Sequence, residues 1–138
     1  MATIPTVHIV DDDEAVRDSL EILLEASGFR VVAYPSGDAF LEQMPADPDG
    51  CLLIDVRMPG RGGLEVQEEL RARNIALPVV MITGHGDVPL AVRAMKGGAI
   101  DFVEKPFSDD LIIGSVRRAL DIGASARRHD AAAAGVAC

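Results

Sequence analysis

Short apolar runs that stop abruptly at polar residues recur along this chain, and they constrain its fold more than any other feature. Val7-His8-Ile9-Val10 ends in Asp11-Asp12-Asp13, and Cys51-Leu52-Leu53-Ile54 ends in Asp55. Val79-Val80-Met81-Ile82 ends in Thr83-Gly84, and Ile100-Asp101-Phe102-Val103 ends in Glu104-Lys105-Pro106. Near-continuous apolar runs of this length, bounded by chain-breaking residues, suit strands buried on both faces of a parallel sheet. Each run then delivers its polar residue to the C-terminal edge of the sheet, where open α/β folds place their chemistry.

The stretches between the runs have helical periodicity. Glu14 to Ser27 puts Val16, Leu20, Leu23 and Leu24 on one face and Arg17, Asp18, Glu21 and Glu25 on the other, with Asp13 or Asp12 able to cap it and Gly28 closing it. Phe29 to Tyr34 reads as a further strand, followed by a Ser36-capped helix to about Gln43. Leu64 to about Arg73 forms an acidic-faced helix after a Gly-rich loop expected to be mobile. Val88 to Lys96 carries Val88, Ala91, Val92 and Met95 at helical spacing, and Ser108 caps a last helix with Ile112, Val116, Ala119 and Leu120 as its stripe. Five βα units in regular alternation give an α/β, flavodoxin-like (βα)5 doubly wound parallel sheet of strand order 2-1-3-4-5.

At 138 residues the chain makes one domain, over residues 1–121, with an appendage. From 122 to 138 it is small and alanine-rich without a periodic apolar face, which predicts a linker or disordered tail. Aromatics are only 4% against 49% hydrophobic residues, so the core is expected to be aliphatic. A formal charge of −9 argues against direct nucleic-acid contact by this domain, since phosphate neutralisation needs a basic face. Two cysteines, Cys51 and Cys138, make neither a disulfide framework nor a metal cluster. With no apolar leader and no run near the ~20 residues of a membrane span, the expected setting is reduced and cytoplasmic.

The predicted rim gathers like charges. Asp11, Asp12 and Asp55 would repel one another unless a cation binds or a proton is retained, and oxygen-only ligands favour Mg²⁺. Asp12 or Asp13 could instead serve only as a helix cap, Lys105 as a solvated surface lysine and Thr83 as an ordinary strand residue. Lys105, however, sits between a buried strand and Pro106, a bond that is a candidate for the cis isomer. Thr83 has Gly84 beside it, which leaves its hydroxyl uncovered. A cation, an ammonium, a hydroxyl and a carboxylate with no base nearby suit a phosphoryl group, with the carboxylate as nucleophile. No Walker loop, GxGxxG pattern or Ser/His/Asp set points to another chemistry.

The blocks VHIVDDDEAVRDSL, LLIDVRMPGRGGLE and VVMITGHGDVPLAVRAMKGGAIDFVEKPF are similar to the receiver domain of two-component response regulators, in particular the FixJ-type transcriptional subfamily. The resemblance covers residues 6 to about 121. It implies that Asp55 is phosphorylated by a sensor histidine kinase, that Asp12 and Asp55 ligate Mg²⁺, and that Asp11 reaches the metal through water. The backbone carbonyl of Arg57 would complete the metal set, Thr83 and Lys105 would bind phosphoryl oxygens, and Phe102 would be the switch aromatic that follows Thr83. Asp13 stands where the family usually has glutamate, a mild departure. Arg57 and His85 are expected to tune hydrolysis of the acyl phosphate. The domain would catalyse its own phosphorylation and dephosphorylation without being a conventional enzyme.

The resemblance further implies a phosphorylation-dependent homodimer and a DNA-binding output domain absent from this chain. The alternative is a stand-alone receiver acting by protein docking or phosphate relay. A Mg²⁺-dependent phosphatase on a similar fold would need a second acid two residues after the nucleophile, where Arg57 stands.

Overall fold

The computed structural model describes residues 5–46, 48–58, 60–84 and 87–137, with side chains up to residue 124. Along the chain the elements are β1 (Thr6–Val10), α1 (Glu14–Ala26), β2 (Arg30–Tyr34), α2 (Gly37–Gln43), β3 (Cys51–Asp55), α3 (Gly63–Ala72), β4 (Val79–Thr83), α4 (Val88–Lys96), β5 (Asp101–Glu104) and α5 (Asp109–Ala137). The strands pair in parallel in the order β2-β1-β3-β4-β5, the doubly wound arrangement that the alternation of runs predicts.

Strand alternation splits the apolar runs between two helix layers. Leu52, Ile54, Val79 and Met81 join one core with Phe40 of α2, Val66 of α3 and Ala94 of α4. Leu53, Val80 and Ile82 join the other with Leu20 and Leu24 of α1 and Ile112 and Val116 of α5. Each of these side chains larger than alanine contributes about 1.5–3 kcal/mol by leaving water. Because every residue of β1, β3 and β4 is buried, these strands carry no polar face, which is why their sequences run apolar without alternation.

The caps follow from the sequence as well. Asp13 Oδ1 accepts from Ala15 N at 2.9 Å, so Asp13 rather than Asp12 caps α1. Ser36 Oγ accepts from Ala39 N at 3.0 Å on α2, and Ser108 Oγ from Leu111 N at 3.2 Å at the start of α5. Gly28 after α1 takes φ 94°, a conformation that a side chain would disfavour. Gly50, at φ 86°, lies so close to β1 that a Cβ would overlap the Thr6 carbonyl, and this contact seats the start of β3 beside β1.

Two elements show more than the sequence reading specified. The helix at the C-terminus does not stop before the alanine-rich stretch: α5 extends to Ala137. Alanine and arginine are among the best helix formers, so a helix already nucleated on the sheet propagates without an apolar stripe. Its packing on the body reaches at least Gly123, where a Cβ would stand 3.0 Å from Pro78 Cγ. In α4 the buried positions are Ala91 and Ala94, whereas Val88, Val92 and Met95 are 59%, 46% and 40% exposed. The small alanines let α4 lie close against the sheet and turn the larger apolar side chains toward solvent.

Among the described residues no helix is long and apolar enough to cross a membrane.

Candidate phosphoryl and metal site

The chain leaves β1 for α1 on one face of the sheet and leaves β3 for α3 on the other. The two loops diverge at adjacent strands, opening a crevice at their C-terminal ends. Asp11 follows β1 directly, and Asp55 is the last residue of β3. Carboxylate oxygens of Asp11, Asp12 and Asp55 lie within 4.8 Å of one another. The sequence-predicted acids therefore do converge, and Asp12, exposed and not used as a cap, is available to the cluster.

Lys105, which follows β5, extends along the rim so that Nζ donates to Asp55 Oδ2 at 2.8 Å. Its distance to Asp11 Oδ2 is 3.6 Å, a neighbouring charge rather than a hydrogen bond. The Lys105–Pro106 peptide is cis. Burial alone would lower the Lys105 ammonium's pKa, but the hydrogen bond and charge of Asp55, followed by Asp11, outweigh it and push it up, so the group stays charged.

Asp55 Oδ1 accepts from Arg57 N at 2.9 Å, and Asp11 Oδ1 accepts from Asp13 N at 2.9 Å. Asp11 Oδ2 is buried and has no hydrogen-bond partner. Burial, partly offset by the Asp13 amide and Lys105, raises the Asp11 carboxyl pKa above its ordinary value. One ammonium cannot neutralise three carboxylates, and an unpartnered buried carboxylate oxygen costs free energy that a cation would recover. The donor set is all oxygen, which fits a hard divalent cation such as Mg²⁺.

Thr83 ends β4, is 1% exposed, and its carbonyl accepts from Lys105 N at 2.8 Å, so the hydroxyl-bearing and ammonium-bearing residues are locked in register. Phe102 of β5 pairs with Met81 and is 42% exposed. His85 lies outside the described residues. Among the described residues the one cysteine, Cys51, is buried within β3, and burial pushes its thiol up to about 12, so it takes no part in this rim.

Sequence reasoning did not find three long-range contacts at the rim. Arg17 Nη1 of α1 donates to the Asp11 carbonyl at 2.7 Å, fixing the turn that carries the acids. Arg61 pairs with Asp38 of α2 at 3.2 Å, and Arg57 Nε with Asp87 at 3.0 Å, so two arginines of the loop after Asp55 each reach an acid from another element. No local signal marks such pairs, because the partners lie on segments 23 and 30 positions apart in sequence.

Comparison with known proteins bears on this arrangement. Residues 7–117 match a family model described as the response regulator receiver domain. The transcriptional regulatory protein FixJ of Azorhizobium caulinodans is 54% identical over 125 residues, which make up 90% of this chain and 59% of that protein. The crystal structure of FixJ-N superposes with a TM-score of 0.82 at 48% identity, covering 87% of this chain and 96% of that one. Full-length FixJ from B. japonicum does so with a TM-score of 0.85 at 43% identity, covering 99% and 67%.

Proposed function

This chain belongs to the response regulator receiver domain family, and on that premise we propose that Asp55 is its phosphoacceptor, served by a sensor histidine kinase. The observation that carries the reading is the contact of Lys105 Nζ with Asp55 Oδ2 at 2.8 Å, beside a buried, unpartnered oxygen of Asp11. An ammonium on the carboxylate that is to be modified is already placed to follow the charge onto a phosphoryl oxygen.

In the transfer, an Asp55 carboxylate oxygen attacks phosphorus in line. The bond from phosphorus to the donor imidazole nitrogen breaks, and the imidazole leaves with the electron pair. Asp11, Asp12, Asp55 and the Arg57 carbonyl would hold Mg²⁺, which supplies charge neutralisation to the phosphoryl oxygens. Lys105 holds one phosphoryl oxygen, and the Thr83 hydroxyl donates to another. Arg57 and His85, two residues after Asp55 and Thr83 in the sequence, govern how fast water hydrolyses the acyl phosphate.

The output follows from the face beyond Thr83. Drawing Thr83 toward the phosphoryl group leaves space for Phe102, now exposed, to turn inward, and α4, β5 and α5 repack as a two-state face. The exposed Val88, Val92 and Met95 of α4 support a dimer formed there in the phosphorylated state. This chain spans 59% of its FixJ relative from Azorhizobium caulinodans, a protein named as a transcriptional regulator, which supports control of a DNA-binding domain outside this chain. The body to residue 121 is the receiver, and the segment from 122 to 138, which α5 enters and follows to Ala137, connects it to that output.

The test is the solution mass of the chain with Mg²⁺, before and after adding beryllofluoride, alongside Asp55→Asn. A monomer that becomes a dimer only with intact Asp55 is the expected result. Binding of the phosphoryl mimic without dimerisation would move the output to protein docking or phosphate relay, and no binding at all would remove Asp55 from the role.

A further inference from the structure

The N-terminus of α4 is assembled differently from those of α1 and α2. Asp13 and Ser36 precede their helices with extended backbone, at ψ 113° and 162°, and both side chains accept from the helix. Asp87 precedes α4 at ψ 38° and makes no capping bond, although aspartate is among the best capping residues. Its carboxylate instead receives Arg57 Nε at 3.1 and 3.0 Å, across the crevice from the loop that follows Asp55.

Two further features shape this choice. A Cβ on Gly84 would stand 3.2 Å from Asp87 Oδ2, so the glycine after Thr83 makes the room in which the carboxylate lies over the end of β4. Pro89 occupies the second position of α4 and has no N–H, so the one amide that an Asp87 cap can take is that of Leu90. Among the described residues, the terminal nitrogens of Arg57 have no partner, and its side chain is 68% exposed.

We propose that Asp87 is a two-position positioning residue that couples Asp55 to α4. At rest it ties Arg57. When Asp55 carries a phosphoryl group, the added oxygens compete for the Arg57 guanidinium, a group that prefers phosphate in paired geometry. Released, Asp87 rotates to extended backbone and caps α4 through Leu90 N–H, firming the first turn of the helix. The ion pair thus favours the resting state and the cap favours the phosphorylated one, with both held by one carboxylate.

This inference rests on Asp55 being the phosphoacceptor, and substitutions at Asp87 separate the two parts. Asparagine caps as well as aspartate but forms no ion pair, whereas alanine does neither. Beryllofluoride affinity, read by ¹⁹F NMR with Mg²⁺, is therefore expected to be about two- to five-fold tighter in Asp87→Asn than in the wild type, from loss of the exposed pair. Asp87→Ala is expected to match Asp87→Asn within about two-fold, because without the pair the cap is the same before and after binding in each, present in asparagine and missing in alanine. The Leu90 amide resonance and its hydrogen exchange report the cap directly. Both should change on beryllofluoride binding in the wild type, whereas Leu90 should already be capped in resting Asp87→Asn and stay uncapped throughout in Asp87→Ala.

A Leu90 amide that is uncapped in resting Asp87→Asn, or an unmoved Leu90 amide in wild-type protein that binds the mimic, overturns the two-position role and leaves Asp55 untouched. Failure of wild-type protein to bind the mimic overturns both.

Discussion

At the scale of the residue, the rim is a contest between burial and charge. Asp11 and Asp55 each accept from a backbone amide and share one ammonium, and Lys105 is the member whose removal isolates the effect. We expect Lys105→Met to weaken beryllofluoride binding by about 10- to 100-fold, the loss associated with a hydrogen bond between charged groups. Titration at fixed Mg²⁺ measures it, and an affinity within two-fold of wild type would remove Lys105 from phosphoryl recognition.

His8 poses the same contest away from the site. It is buried in β1, with Nε2 on the Asp49 carbonyl at 3.2 Å and Nδ1 on Tyr34 Oη at 3.3 Å. A carbonyl only accepts, so Nε2 carries the proton and Nδ1 accepts from the tyrosine hydroxyl. Burial lowers the His8 pKa from its ordinary value of 6.5, against the smaller opposing pull of Asp49. The folded chain therefore favours neutral imidazole. The stabilisation this represents is fully present above pH 6.5 and is lost as pH falls below 6.5 toward the depressed folded pKa. Urea midpoints are expected to fall between pH 7.5 and pH 5.5, and less steeply in His8→Leu. Parallel pH profiles for the two proteins would contradict this assignment.

At the scale of the element, α4 is the informative case. A helix with Val88, Val92 and Met95 at helical spacing would ordinarily turn that stripe inward, yet it is the alanines that pack on the sheet. Exposed positions contribute little to the stability of one copy, so Val92→Asp is expected to change the free energy of unfolding by no more than about 0.5 kcal/mol. If α4 forms the dimer face, the same substitution abolishes the beryllofluoride-induced increase in mass while leaving beryllofluoride binding intact. A Val92→Asp protein that still dimerises would place the interface elsewhere.

At the scale of the whole molecule, two helix layers clamp one sheet, and α5 continues past it. Side-chain packing is traceable to Gly123 against Pro78, and the family match ends at residue 117. A chain ending at residue 124 is thus expected to keep its melting temperature within about 2 °C and its affinity for beryllofluoride, while losing helical circular dichroism in proportion to the residues removed. A large drop in melting temperature would make the terminal segment part of the domain.

Much of this was legible in the amino-acid order because the information is local. Unbroken apolar runs specify strands buried on both faces, their terminal polar residues specify the rim, and Asp13, Ser36 and Ser108 specify helix starts through bonds that span two or three residues. The strand order and the convergence of Asp11, Asp12 and Asp55 follow from alternation and the handedness of crossovers. What only the tertiary structure decided is where long-range partners compete. The outward stripe of α4 depends on how closely its alanines approach the sheet. The helical continuation of α5 depends on nucleation against the body. The diversion of Asp87 from its own helix to Arg57 joins residues thirty positions apart, and no spacing rule in the chain encodes a choice between two partners that only the fold brings within reach.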